Sequence, residues 1–382
     1  MARSGQAGRM SIPAEANGQR SPRGDAAVSG AEGSITYYNR PMIKRPTWKW
    51  FIPLYFFLGG LAGGAAVVGA AAEFLGGPKH RATVRHARYL TLGLAPVCAA
   101  LLIADLGRPA RFYRMLRVFK GSSPLNVGTY ILTLFGAVSG VLAVRQVAED
   151  GVVIRRESVL GRLARAVPSA PLTAAHGLLG LALGGYTGTL LAVTAVPLWA
   201  AGGTLLGPLF LATGLASGAA ALRLVGTLNG TLTTEAGEDI ADVETVAELA
   251  QLGLVAAREV MVPARVGRPL VRGPWGILWR GGAVGGGMLG PLALNVAGRV
   301  AGPRARQTLG TIAAGLAVAG ALAERFAITE AGKRSADDPL AYQAMTRGLP
   351  GKARPTAAEQ AARASDEARR HPFQAHQVVP ER

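Results

Sequence analysis

From Ala166 to Leu222 the sequence holds no Asp, Glu, Lys or Arg. A helix crosses a hydrocarbon core of about 30 Å with roughly 20 residues, so this stretch is too long for one crossing. Pro197, Gly202, Gly203, Gly207 and Pro208 mark a turn region inside it, because these residues end helices or bend them. The stretch therefore predicts two spans, about 172–196 and 204–222. Composition points the same way. Hydrophobic residues make up 49% of the chain and charged residues 17%, with a mean hydropathy of +0.27 despite polar ends. Soluble domains carry about 25% charged residues.

Other apolar runs complete the pattern. The first begins at Trp48-Lys49-Trp50 and ends before Glu73, its paired Trp residues placed as in an interfacial aromatic belt. Further runs cover Tyr89–Ala104, Leu125–Val144, Trp275–Gly298 and Gln307–Phe326. The segment Ile240–Val262 holds Asp242, Glu244 and Glu248, and reads as an amphipathic interior helix or a weak span. The sum predicts an all-α integral membrane protein with about eight transmembrane helices over 36–332. A disordered tail over 1–35, rich in Gly, Ala, Ser and Arg, precedes them. A polar tail over 333–382 follows, with a surface helix over Ala357–Arg370. An even number of spans puts both tails on one side. The basic loops at 79–88, 108–120 and 258–272 fall on alternating sides, whereas the acidic stretch Glu235–Glu248 and the basic N-terminal tail favour cytoplasmic termini. No apolar core of a secretory signal precedes Trp50, and the expected location is the cell (inner or cytoplasmic) membrane. The net charge of +18 lies mostly between apolar runs, which suits membrane-flanking loops in contact with lipid and not a nucleic-acid face.

Cofactor chemistry is constrained by what the sequence lacks. One cysteine, Cys98, excludes a disulfide framework, a thiolate metal site and an iron–sulfur cluster held by this chain alone. Of five histidines, only His176 adjoins a span; His80 and His86 lie in a basic segment, and His371 and His376 in the polar tail. A bis-histidine haem is not expected, nor any other metal ligation. Ionisable residues near membrane depth are costly and are usually paired or functional. Here they are Glu73, Asp105, Arg223, Glu248, Glu324 and Arg325, most at predicted span ends. Asp105 closes a span within Asp105-Leu106-Gly107-Arg108-Pro109, where it either pairs with Arg108 to fix the turn or handles protons. Glycines four apart, Gly59/Gly63, Gly60/Gly64 and Gly180/Gly184/Gly188, predict close helix packing.

Several of these segments together resemble the NrfD-like family, the membrane subunits of polysulfide reductase and formate-dependent nitrite reductase complexes. They are Trp48-x-Trp50, Tyr55, Gly59-Gly60-Leu61-Ala62-Gly63-Gly64, and Asp-Leu-Gly-Arg-Pro at 105–109 with Arg111-Phe112. Ser123-Pro124-Leu125, Tyr186-Thr187-Gly188-x-Leu190-Leu191, Trp199, Glu324-Arg325-Phe326 and Ala331-Gly332 extend the likeness over roughly 36–345. The resemblance implies two four-helix bundles and no resident redox cofactor. It also implies electron exchange between membrane quinone (menaquinone or ubiquinone) and a docked ferredoxin-like iron–sulfur subunit, itself attached to a molybdopterin enzyme. Quinone would be held near the start of the first helix, at Tyr55, and on the fourth, at Tyr186 or His176. His176, Glu73, Asp105, Arg108 and Glu248 are candidates for proton transfer or for structural roles. Some relatives carry histidine at the Tyr55 position; tyrosine, with a pKa near ~10, is a poorer proton source. Such a subunit is non-catalytic by itself. Two other classes fit a polytopic protein: a secondary transporter with charges at the midplane, and a passive anchor for a soluble enzyme.

Overall fold

The computed structural model describes residues 41–348. The expected N-terminal tail and the helix over Ala357–Arg370 lie outside the described residues. No strand occurs among the described residues. The long helices are α1 (Phe51–Leu75), α2 (Arg81–Asp105), α3 (Pro124–Asp150), α4 (Ser169–Ala192), α5 (Leu206–Leu228) and α6 (Thr234–Met261). The consecutive segments Gly273–Ile277, Leu278–Leu289 and Gly290–Val300 together form α7, and α8 is Pro303–Ala336. Five helices, within Phe51–Leu75, Gly77–Asp105, Pro124–Asp150, Pro197–Leu228 and Pro303–Ala336, are long and apolar enough to cross a membrane. A sixth crossing is added if α4 is counted with Val159–Ala166, from which it is bent by 63°. Two of the expected spans do not meet that measure. Acidic side chains lower the hydropathy of α6, and α7 is broken into segments of 5, 12 and 11 residues. Its central segment, Leu-Trp-Arg-Gly-Gly-Ala-Val-Gly-Gly-Gly-Met-Leu, winds as a π-helix. The glycine-rich run, which resists that widening least, lets Gly287 meet Gly320 of α8 backbone to backbone.

Helix boundaries depart from the apolar runs where charges are satisfied locally. The basic stretch taken as a loop at 79–88 is the first turns of α2. Its Arg85 and Arg88 project to Asp150 and to Glu73 and Glu149 on neighbouring helices. Likewise α8 runs ten residues past Phe326, where the apolar run stops, because Lys333 and Ser335 are buried against the start of α1 and the segment Pro197–Gly202. A further helix, Pro339–Gly348, follows it. Ends are set by recognisable caps. Ser123 accepts from the Asn126 amide ahead of Pro124 at the first position of α3, and Gly151 closes that helix at φ 74°.

At the centre α1 packs against α2, α4, α5 and α8; α3 covers α2 and α4; α6 lies on α5, and α7 on α8. Small residues make this possible. A Cβ on Gly63 would stand 2.5 Å from the Gly180 carbonyl oxygen of α4, and one on Gly64 would overlap the Gly214 carbonyl of α5. Without a water-driven force between helices, such close approach supplies the packing energy of a membrane interior. Gly64→Leu is accordingly expected to destabilise the fold at or above the ~3 kcal/mol upper end of ordinary overpacking. Gly93→Leu, at a position with open space, should change stability by less than about 0.5 kcal/mol. Thermal unfolding of both variants in detergent checks this, and equal midpoints would contradict the packing argument.

Candidate functional site

One large cavity, of about 590 Å³, lies among the first four long helices. Its walls are the start of α1, the C-terminal half of α2 with the loop that follows, the N-terminal half of α3, and the C-terminal part of α4. These ends meet because α1–α4 run antiparallel in turn. The volume falls in the range of about 300–1,000 Å³ typical of small-molecule sites. Nearly all of the lining is aliphatic or aromatic: Ile52, Phe56, Leu92, Leu102, Leu132 and Leu190 among others.

Three residues singled out in the sequence line this space together: Tyr55, Tyr186 and Asp105. Tyr55 is only 2% exposed, so it faces the interior and not lipid. Its hydroxyl makes no hydrogen bond among the described residues, whereas the Tyr186 hydroxyl donates to the Pro124 carbonyl at 2.5 Å. Gly128 is what admits the Tyr186 ring, since a Cβ there would overlap it. The hydroxyls of Thr129 and Thr133, also in the lining, donate to backbone carbonyls within α3. Asp105 accepts from the Lys49 amide at 3.0 Å and so ties the end of α2 to the start of α1. The ion pair with Arg108, one of the two roles read for Asp105, does not form; Arg108 is exposed, and the chain leaves α2 in an extended conformation at Leu106. Trp48, on the cavity wall, stacks on Trp199 with ring centroids 5.4 Å apart. Trp199 in turn donates to the Ile328 carbonyl and fits over Gly332.

His176 does not reach this cavity. Ten residues before Tyr186 on α4, it points elsewhere around the helix, as 3.6 residues per turn requires. It is buried, stacked on Phe135 and hydrogen-bonded to Ser139 Oγ at 2.8 Å. Near it, Glu73 accepts from Arg88 and from Thr173, both at 2.8 Å, and Arg88 also donates to Gln146. Arg88 was the residue least visible in the sequence. It sits in a basic run, and only its spacing from Thr91 and Ala95, on the inward face of α2, marks it as buried.

Glu248 lies apart from both groups, on α6, fully buried. Glu324 and Arg325, placed near a span end by the apolar run, are also fully internal, because α8 continues to Ala336. They form a buried pair at 2.6 Å.

Fold and cavity define a multi-pass, helical membrane protein with an apolar chamber of about 590 Å³ and few polar groups around it. The chain belongs to the NrfD family: the family described as "Polysulphide reductase, NrfD" matches residues 39–335. Among curated proteins it is similar to a polypeptide of the polysulfide reductase of Wolinella succinogenes, with 30% identity over 209 residues, covering 51% of this protein and 62% of that one. It is also similar to a putative dimethyl sulfoxide reductase membrane subunit of Halobacterium salinarum, with 27% identity over 93 residues, or 24% and 21% of the two proteins. The matched part is thus less than two thirds of either relative.

Proposed function

We propose that this chain is the quinone-reactive membrane subunit of a reductase complex. The observation that carries the reading is the convergence of Tyr55 and Tyr186 on one apolar cavity. The fit to a quinone rests on three features: walls suited to a flat ring and an isoprenoid tail, a volume suited to a headgroup, and the hydroxyl of buried Tyr55, which lines the cavity and makes no hydrogen bond among the described residues. When bound, a quinone accepts or returns two electrons and two protons. Tyr55 would donate a hydrogen bond to one quinone oxygen. Tyr186, held by Pro124, would shape the opposite wall. Asp105, at the polar end of α2, would pass protons to the site, and Trp48 would close it against the Trp199 stack.

Family and relatives support placement in a reductase complex, with electrons exchanged through a docked iron–sulfur subunit and a molybdopterin enzyme. We read the eight long helices as eight crossings of the cell membrane, α1–α4 forming one four-helix bundle and α5–α8 the other. The test is direct. Purified protein in nanodiscs should bind a short-chain naphthoquinone or benzoquinone saturably and stoichiometrically. Ala99→Trp, which fills the cavity from α2, should abolish that binding while leaving the melting temperature near wild type. Undiminished binding to this variant would remove the cavity from consideration.

A further inference from the structure

The half of the protein that does not line the cavity carries a polar face of its own. On α6 the buried positions are Ala236, Ile240, Glu244, Ala247, Glu248, Gln251, Val255 and Arg258, while Val243, Val246, Leu249 and Val260 are exposed. The helix therefore turns its ionisable side inward and its aliphatic side outward, as a membrane requires. Glu244 to Arg258 spans fourteen residues, about 21 Å at 1.5 Å per residue, a large part of a ~30 Å hydrocarbon core.

Among the described residues, Glu244 and Glu324 have charge partners and Glu248 has none. Glu244 accepts from Arg223 at 2.7 Å and from Asn295 at 3.3 Å. Glu324 is paired with Arg325. Arg258 meets Glu259 at 3.8 Å and lies 6.0 Å over the Trp279 ring. Glu248 has nothing: it is 0% exposed, and neither carboxyl oxygen has a hydrogen-bond partner among the described residues. A carboxylate buried without a cation or a donor is so unfavourable that the group holds a proton instead. Gln251 Nε2, three residues on from Glu248, is buried and unpartnered on the same face, and Arg258 Nε and Nη2 are buried and unpartnered about 80° around the helix from Glu248. Buried polar groups without a protein partner are commonly met by internal water, and Gln251 stands about one turn from Glu248. Exposed charges flank this stretch at both ends of α6. Asp242 and Glu238 form exposed ion pairs with Arg299 and Arg306 at one end, and Glu259 is half exposed at the other.

We propose that Glu248 is a membrane-buried carboxylic acid that exchanges its proton with water along the inward face of α6, a proton site separate from the Tyr55 cavity. The step is a simple transfer. The carboxylic acid O–H bond breaks, its proton passes to a water molecule as hydronium, and the carboxylate left behind is reprotonated by a hydronium, which returns to water. No electron moves and no further reactant is needed. The inference does not rest on the quinone reading, since no cavity residue takes part.

Infrared spectroscopy of the full-length protein in nanodiscs tests it. Wild-type protein should show a carboxylic C=O stretch above the amide I band that shifts down when H₂O is replaced by D₂O. In E248Q that band should vanish, and in E248D it should return at a displaced frequency. Quinone binding should be as in wild type for both variants, which separates this site from the cavity. Three outcomes overturn the proposal: no such band in wild-type protein, a band indifferent to D₂O, or a band unchanged in folded E248Q. The first two are read on the unmodified protein, so a variant that fails to fold leaves the test intact.

Discussion

Replacing Arg325 by Ala should destabilise the protein by about 3–5 kcal/mol, the cost of leaving one member of a buried ion pair uncompensated. Arg325 is 1% exposed and joins three helices. Its Nη1 donates to Glu324 at 2.6 Å, its Nη2 donates to the Phe210 carbonyl of α5 at 2.8 Å, and its guanidinium lies 3.6 Å above the Phe210 ring. Gly60 of α1 provides the space beside it, as a Cβ there would stand 3.3 Å from Nη2. In Arg325→Ala the Glu324 carboxylate keeps only the Thr213 hydroxyl, and the Phe210 ring loses its cation. Neutralising both partners, as in Arg325→Met with Glu324→Gln, should recover most of the loss, because uncharged groups of similar volume need no compensation. Thermal unfolding of the purified protein in detergent distinguishes the cases. A single variant with a wild-type midpoint would show that water reaches the pair.

Tyr55→Phe should lower quinone turnover by about 10²-fold, the lower end of what one preorganised hydrogen-bond donor contributes, while leaving assembly intact. This follows from the proposed function. The change removes a hydroxyl that has no other partner and alters the 2%-exposed ring little in volume. The same change at Tyr186 removes a hydroxyl already committed to Pro124, so it should act mainly on the shape of the wall and less on the rate. Quinone-dependent activity of the assembled complex, normalised to its iron–sulfur content, is the measurement. Unaltered activity in Tyr55→Phe would place the headgroup away from α1.

Much of this architecture was legible along the sequence, because a bilayer enforces one-dimensional rules. Every backbone group at membrane depth must bond within its own helix, so the uncharged stretch Ala166–Leu222 had to become helices, and did so as α4 and α5 around a break at 193–205. The glycine spacings in α1 and α4 announced close contact, and Gly63 meets Gly180 as that spacing demands. Hydropathy alone was less informative where charge is neutralised in three dimensions. Arg88 became part of α2 because Glu73, Gln146 and Glu149 surround it, and no linear window contains all of them. Glu324 and Arg325 moved from a supposed span end to the interior for the same reason.

What the sequence by itself determined was the class of protein, helical and membrane-spanning, and the candidates Tyr55, Tyr186 and Asp105. Only the tertiary structure decided that these three share one cavity, that His176 instead joins Ser139 near Glu73, and that Glu248 has no hydrogen-bond partner among the described residues. Periodicity fixes which face of a helix a residue occupies. Which neighbour that face meets depends on how the helices cross, and that is set by glycine contacts and buried ion pairs between segments far apart in the sequence.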